Sequence, residues 1–130
     1  MAGVYLDTSA LGRILLGEPG HPAILDALEA FEVHVASRLL GVELRRLALR
    51  HDRLADAERL LNTIALVPLD ESTLAGAERT TPASVATLDA IHLVTAVRLS
   101  ETGLIEALMT YDGQLATGAR EHGITVIAPA

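Results

Sequence analysis

The stretch Val4-Tyr5-Leu6-Asp7-Thr8-Ser9-Ala10 joins a short β-prone run to the start of a helix. Val, Tyr and Leu favour a strand, and the run stops at three small polar residues. Ser9 is a good N-cap, so the spacing predicts a helix from Ala10 to Leu16. A strand passing straight into a helix is the first half of a βαβ unit, and the rest of the chain continues the alternation. Ile24, Leu25 and Leu28 recur at helical spacing between His21-Pro22 and Phe31. Val33-His34-Val35-Ala36 reads as a second strand, with Ser37 capping a helix that carries Leu40, Leu44 and Leu47 on one stripe and ends near His51-Asp52. A further helix opens at Asp52 or Arg53, with Leu54, Ala57, Leu60, Leu61 and Ile64 facing inward. Ala65 to Leu69 is either a third strand or an extended link. Glu71 to Arg79 is expected to be helical and to break at Thr80-Thr81-Pro82, and a long helical pattern runs from Leu88 to about Ser100. Ala107 to Thr110 reads as a strand ending at Tyr111-Asp112-Gly113, a helix follows with Gly123 as its C-cap, and Ile124 to Ile127 is the last strand. Strands alternating with helices, without tight hairpin signals, imply an α/β fold with a central parallel sheet covered on both faces.

The 130 residues, half of them hydrophobic and 21% charged, suit one soluble domain spanning 1–130. Apolar runs are broken by Arg, Glu or Asp well before the ~18 residues a membrane span needs, so no membrane association is expected. The first charge is Asp7 and no basic segment precedes it, which argues against a secretory signal and for a cytoplasmic protein. Cysteine is absent, which excludes disulfides, thiolate metal sites and a Cys nucleophile together. The net charge of −7 disfavours general affinity for polyanions. Every basic residue is Arg, and six of the ten (Arg38, Arg45, Arg46, Arg50, Arg53 and Arg59) fall in one segment. The lack of Lys weighs against receiver-type and phosphatase-type domains, which also place Asp after the first strand but need a Lys beside the phosphoryl group. A dinucleotide fold is disfavoured because Asp7 to Gly12 is not a glycine-rich turn.

Ligands of open parallel sheets bind beyond the strand C-termini. Asp7 and Asp112 occupy such positions, although an acid there also serves as a helix N-cap. Glu43 and Asp89 lie in nearly apolar helical surroundings, where an unpaired carboxylate would cost several kcal/mol. The alternatives are an i,i+3 pair with Arg46 for Glu43 and a favourable first-turn position for Asp89. Four anions around one crevice require a cation, and oxygen-only ligation suits Mg²⁺, with Mn²⁺ as a substitute. Such an ion would neutralise a phosphodiester, stabilise the leaving oxygen and activate a water. Arg46 and Arg50 share the face of Glu43 and are placed either to hold a nucleic-acid backbone or to form a solvated, salt-bridged helix. His92 follows Asp89 by one turn and reads more readily as a hydrogen-bonded core residue than as a group that steers substrate. His21, His34, His51 and His122 show no ligand spacing and read as surface residues, and three aromatics provide no stacking platform for successive bases.

Tyr5-Leu6-Asp7-Thr8-Ser9-Ala10, Val42-Glu43-Leu44, Thr87 to Ala96 and Met109-Thr110-Tyr111-Asp112 resemble, in order, the four signature blocks of PIN-domain ribonucleases. The likeness extends through Gly123 to Pro129 and is similar to the VapC-type toxins of type II toxin–antitoxin pairs. It implies a three-layer α/β/α domain and a Mg²⁺-dependent endoribonuclease, with Asp7, Glu43, Asp89 and Asp112 as catalytic, metal-binding acids. Thr8, Ser9 and Thr110 match hydroxyl positions that support those carboxylates. Gln114 stands where many family members carry an acid or amide; it can donate to a phosphate or hold a metal-bound water but adds no charge. The likeness also implies RNA as substrate, a homodimer, and a cognate VapB-like, DNA-binding antitoxin. The competing expectation is a non-catalytic PIN-like interaction module.

Overall fold

Val4, Tyr5 and Leu6 are wholly buried, as are Leu108 and Met109, so two segments read as continuous apolar runs instead of alternating ones. That is the signature of strands covered on both faces. The computed structural model describes residues 2–130 and places these segments side by side at the centre of a five-stranded parallel sheet. The elements follow in the order β1 (Gly3–Leu6), α1 (Thr8–Leu15), α2 (His21–Leu28), β2 (Val33–Ser37), α3 (Arg38–Arg50), α4 (Leu54–Leu61) and β3 (Ala65–Val67). The second half holds α5 (Glu71–Ala77), α6 (Thr87–Glu101), β4 (Ile105–Met109), α7 (Gly113–Glu121) and β5 (Thr125–Ile127).

The strand order β3-β2-β1-β4-β5 builds outward from β1 in one direction and then in the other. Because parallel crossovers are right-handed, this reversal sends α1 to α4 to one face and α5 to α7 to the other. The helix contacts agree: α1 packs on α2, α3 and α4, while α6 packs on α5 and α7. The result is a three-layer α/β/α domain whose order reverses between β1 and β4. A crevice opens at such a reversal, beyond the strand C-termini. Asp7 follows β1 directly, and its N–H donates to the Met109 carbonyl of β4 at 3.1 Å, which ties the two strand ends together.

Several boundaries differ from the sequence reading. The first helix starts at Thr8 because Asp7, not Ser9, is its N-cap; the Asp7 carboxylate accepts the Ser9 N–H. Asp directly after a strand is as good a cap as Ser, which frees the Ser9 hydroxyl for other bonds. The long helix likewise includes Thr87 and is capped by Ala86 without a side-chain bond. Leu54 is 40% exposed, since it begins α4 and lies outside the buried stripe of Ala57 and Leu61. Ala65–Val67 is a true edge strand, pairing in parallel with Val35–Ser37. Ile105 and Glu106 extend β4 backwards, whereas Thr110 lies beyond it. Gly123 has the positive φ of 79° expected of the residue that ends α7.

Candidate active site at the sheet crossover

Asp7 is 4% exposed, and one of its carboxylate oxygens is fully committed. Oδ2 accepts from the Ser9 hydroxyl at 2.7 Å and the Thr110 hydroxyl at 2.8 Å, besides capping the Ser9 N–H at 3.4 Å. The other three acids belong to three different helices, two lying within them and the third just before its own. Glu43 is on α3, where Oε1 accepts from the Thr8 hydroxyl and the His92 Nε2–H, each at 2.7 Å. Asp112 caps α7, its Oδ1 accepting the Leu115 N–H at 2.8 Å. Asp89 stands half-buried in the first turn of α6.

Three of the acids thus share one design. A single oxygen is pinned by short hydrogen bonds and the carboxylate is held in orientation. The hydroxyls of Ser9 and Thr110 bond Asp7, whereas that of Thr8 bonds Glu43 and not the neighbouring Asp7. Glu43 pairs with His92, not with Arg46. Burial pushes the Glu43 carboxyl upward, but the hydrogen bonds from His92 and Thr8 overcome it and hold the group below its ordinary value. Asp89 goes the opposite way: burial, then the charges of Asp112, Asp7 and Glu43, push it up to about 6. After burial, the upward push comes from the charges of the other three acids, which lie near enough to Asp89 to repel it.

Among the described residues, no group of three His, Asp or Glu side chains is already drawn in as closely as the ligands of one bound ion. The donor chemistry nevertheless fits a hard divalent cation. It is all oxygen, it is charge-rich, and it is open enough for an ion that keeps several waters and takes further ligands from a phosphate. Asp7, Glu43, Asp89 and Asp112 are the residues that would hold it.

Thr8, Ser9, Glu43 and Asp112 border a cleft of about 900 Å³ whose outer wall carries Arg13, Arg46 and Arg50. Arg46 and Arg50 lie one and two turns beyond Glu43, as their spacing predicts, and both are exposed. Gln114 is exposed at the start of α7. Sequence reasoning missed Arg13 and its contact with Tyr111. The Arg13 guanidinium lies 3.8 Å over the Tyr111 ring, a cation–π contact beside Asp112. The available signal was the i,i+4 spacing of Ser9 and Arg13 on α1; in the structure Ser9 accepts the Tyr111 N–H at 2.9 Å. His92 is a core residue with no exposed surface, yet it touches the acids, with Nε2 3.9 Å from Asp7 Oδ1. His34 is half-buried, its Nε2 bonded to the Leu28 carbonyl at 2.8 Å, so it is not the free surface residue expected.

A parallel sheet with carboxylates gathered at its reversal is the arrangement of a PIN domain, and the PIN domain family model matches residues 4–121. The chain is 35% identical to Ribonuclease VapC47 of Mycobacterium tuberculosis (strain CDC 1551 / Oshkosh), covering 97% of this chain and 96% of that protein. It is also 35% identical to Ribonuclease VapC46 of Mycobacterium tuberculosis (strain ATCC 25618 / H37Rv), over the full length of both. The chain belongs to the PIN-domain family and, within it, to the VapC-type ribonuclease group. A solved toxin–antitoxin complex from Klebsiella pneumoniae contains a chain of the same fold, with a TM-score of 0.72 and 98% of each chain covered, at 19% identity. No helix among the described residues is long and apolar enough to cross a membrane.

Proposed function

We propose that the chain is a Mg²⁺-dependent endoribonuclease and the toxin of a toxin–antitoxin pair. The observation that carries this reading is the set of four carboxylates at the β1/β4 crossover, three of them with one oxygen pinned by hydrogen bonds. Such a site gains most from a divalent ion, and when bound that ion supplies an activated water and neutralises phosphate charge. The protein's own contribution is positional. Ser9 and Thr110 hold Asp7, and Thr8 and His92 hold Glu43, so the carboxylates need little reorganisation when ion and substrate arrive. Arg13, Arg46 and Arg50 face the phosphates of a strand lying in the cleft and offset the repulsion expected from a net charge of −7. The names of the relatives support RNA as the substrate.

Purified chain is expected to cleave RNA with Mg²⁺ or Mn²⁺ and to stop when EDTA is added. Equal cleavage in EDTA would overturn the metal-dependent reading, and no cleavage with either ion would leave a non-catalytic interaction module as the alternative.

The partner reading follows from the same charge. A small VapB-like antitoxin, DNA-binding at one end, would place a basic side chain among the four acids, where an Arg forms bidentate carboxylate bonds and displaces the ion. A homodimer of the chain completes the proposed assembly, checked by sedimentation at micromolar concentration. The inhibited complex is expected to have lost Mg²⁺ affinity, read by calorimetry, and to form more tightly at low salt. Undiminished Mg²⁺ binding in the complex would indicate steric cover instead.

A further inference from the structure

Behind the acids lies a buried hydrogen-bond chain that the metal chemistry alone does not require. The Ser37 backbone N–H donates to the Tyr5 hydroxyl at 3.0 Å, that hydroxyl lies 2.6 Å from His92 Nδ1, and His92 Nε2 lies 2.7 Å from Glu43 Oε1. Tyr5 and His92 have no exposed surface, and the two rings meet edge to face at 73°. A fully buried imidazole joining two elements distant in sequence, 49 residues from one partner and 87 from the other, is held for a purpose beyond filling space.

We infer that Tyr5 and His92 are positioning residues: the chain from Ser37 to Glu43 holds His92 as its Nε2–H tautomer, which pins one oxygen of Glu43 and leaves the other to face the cleft. The direction comes from its fixed ends. Ser37 N–H can only donate, and the Glu43 carboxylate can only accept. His92 must therefore present a hydrogen on Nε2, and in the tautomer that carries only that hydrogen, Nδ1 accepts from the Tyr5 O–H. Thr95, which also borders the Tyr5 hydroxyl, donates its own hydrogen to the Ile91 carbonyl at 2.8 Å. Both anchors of Glu43, from Thr8 and His92, land on Oε1, so the carboxylate cannot swing without breaking two bonds. Fixing the tautomer and orientation of a ligand through its neighbours is worth about 10- to 100-fold in metal affinity or activity. Tyr5 thus acts on the site from inside the sheet, through His92.

The test begins on the unsubstituted, metal-free chain with ¹⁵N–¹H correlation of the five imidazoles, His92 being assigned by loss of its signals in His92→Gln. A neutral ring protonated at Nε2 is expected. The Nδ1–H tautomer would overturn the inference, and so would an imidazolium, with Tyr5 donating to Thr95. In Tyr5→Phe the tautomer preference should relax, with Mn²⁺ affinity and kcat falling about 10-fold or more while KM for RNA changes little. His92→Gln, which keeps a donor at the Nε2 position, should regain most of what His92→Leu loses. A Tyr5→Phe chain with unchanged tautomer and Mn²⁺ affinity would overturn the inference. Its catalytic consequence rests on the ribonuclease reading, but the tautomer and the Mn²⁺ affinity do not. Both could hold in a chain that cleaves no RNA, which would sustain this inference and sink that reading.

Discussion

Asp7→Asn is expected to leave the fold in place and to reduce RNA cleavage by about 10³-fold or more. The separation of the two effects follows from the atoms. The oxygen of an Asn amide can take over the role of Asp7 Oδ2, accepting from the Ser9 and Thr110 hydroxyls, and Asn is as good an N-cap for α1 as Asp. The remaining position then carries an NH₂ group. It presents hydrogens where Oδ1 presented lone pairs, and one negative charge is gone from the site. A cation loses a ligand and part of its attraction, while RNA, itself an anion, is repelled less. The loss should therefore appear in kcat at saturating RNA, with KM unchanged or lower. Cleavage within about 10-fold of the parent, in a chain whose melting profile is unchanged, would remove Asp7 from the reacting centre.

Asp89→Asn should abolish cleavage too, but with the opposite sign on stability. Burial and the three facing carboxylates raise Asp89 to about 6 from 3.8, so the folded chain holds this proton more tightly than the unfolded chain does. Stability contributed by this group is present below the ordinary value and is lost as the pH rises through about 6. At pH 7.5 the charged side chain is a cost to the fold, and Asn removes it. Because Asp89 is only half-buried, solvent screening reduces that cost to about 1 kcal/mol, or roughly 3–5 °C in melting temperature for a chain of this size. The stabilisation should be visible at pH 7.5 without metal, should shrink to nothing by about pH 4, and should narrow when Mg²⁺ supplies the missing positive charge. A variant less stable than its parent at pH 7.5 would mean that Asp89 supports the first turn of α6 more than it is repelled by its neighbours.

Local chemistry accounts for what the sequence makes plain. Val4-Tyr5-Leu6 and Ala107-Leu108-Met109 are apolar without alternation, so their burial on both faces could be inferred before any contact was known, and the acids that follow them had to lie at one edge. Glu43 and Asp89 stood out because each interrupts an apolar helix. Their partners could not be read in the same way. Thr8 and Glu43 are 35 residues apart, and Tyr5 and His92 are 87 apart, so nothing local joins them. Arg13 and Tyr111 are likewise distant in sequence, and only the β1/β4 crossover brings the ring beneath the guanidinium. Ser9 read as the cap because a hydroxyl before an apolar run is the stronger local signal; Asp7 prevails because its carboxylate is already held in place by Thr110 from the far side of the chain.

Titration of the metal-free chain with Mn²⁺, following the loss of the free-ion signal by electron paramagnetic resonance, bears most directly on whether the four acids form one cation site. The parent should bind Mn²⁺ and release it to excess Mg²⁺, and Asp7→Asn and Asp112→Asn should each bind it at least about 10-fold more weakly while remaining folded. Mn²⁺ binding equal to that of the parent in both substituted chains would contradict it.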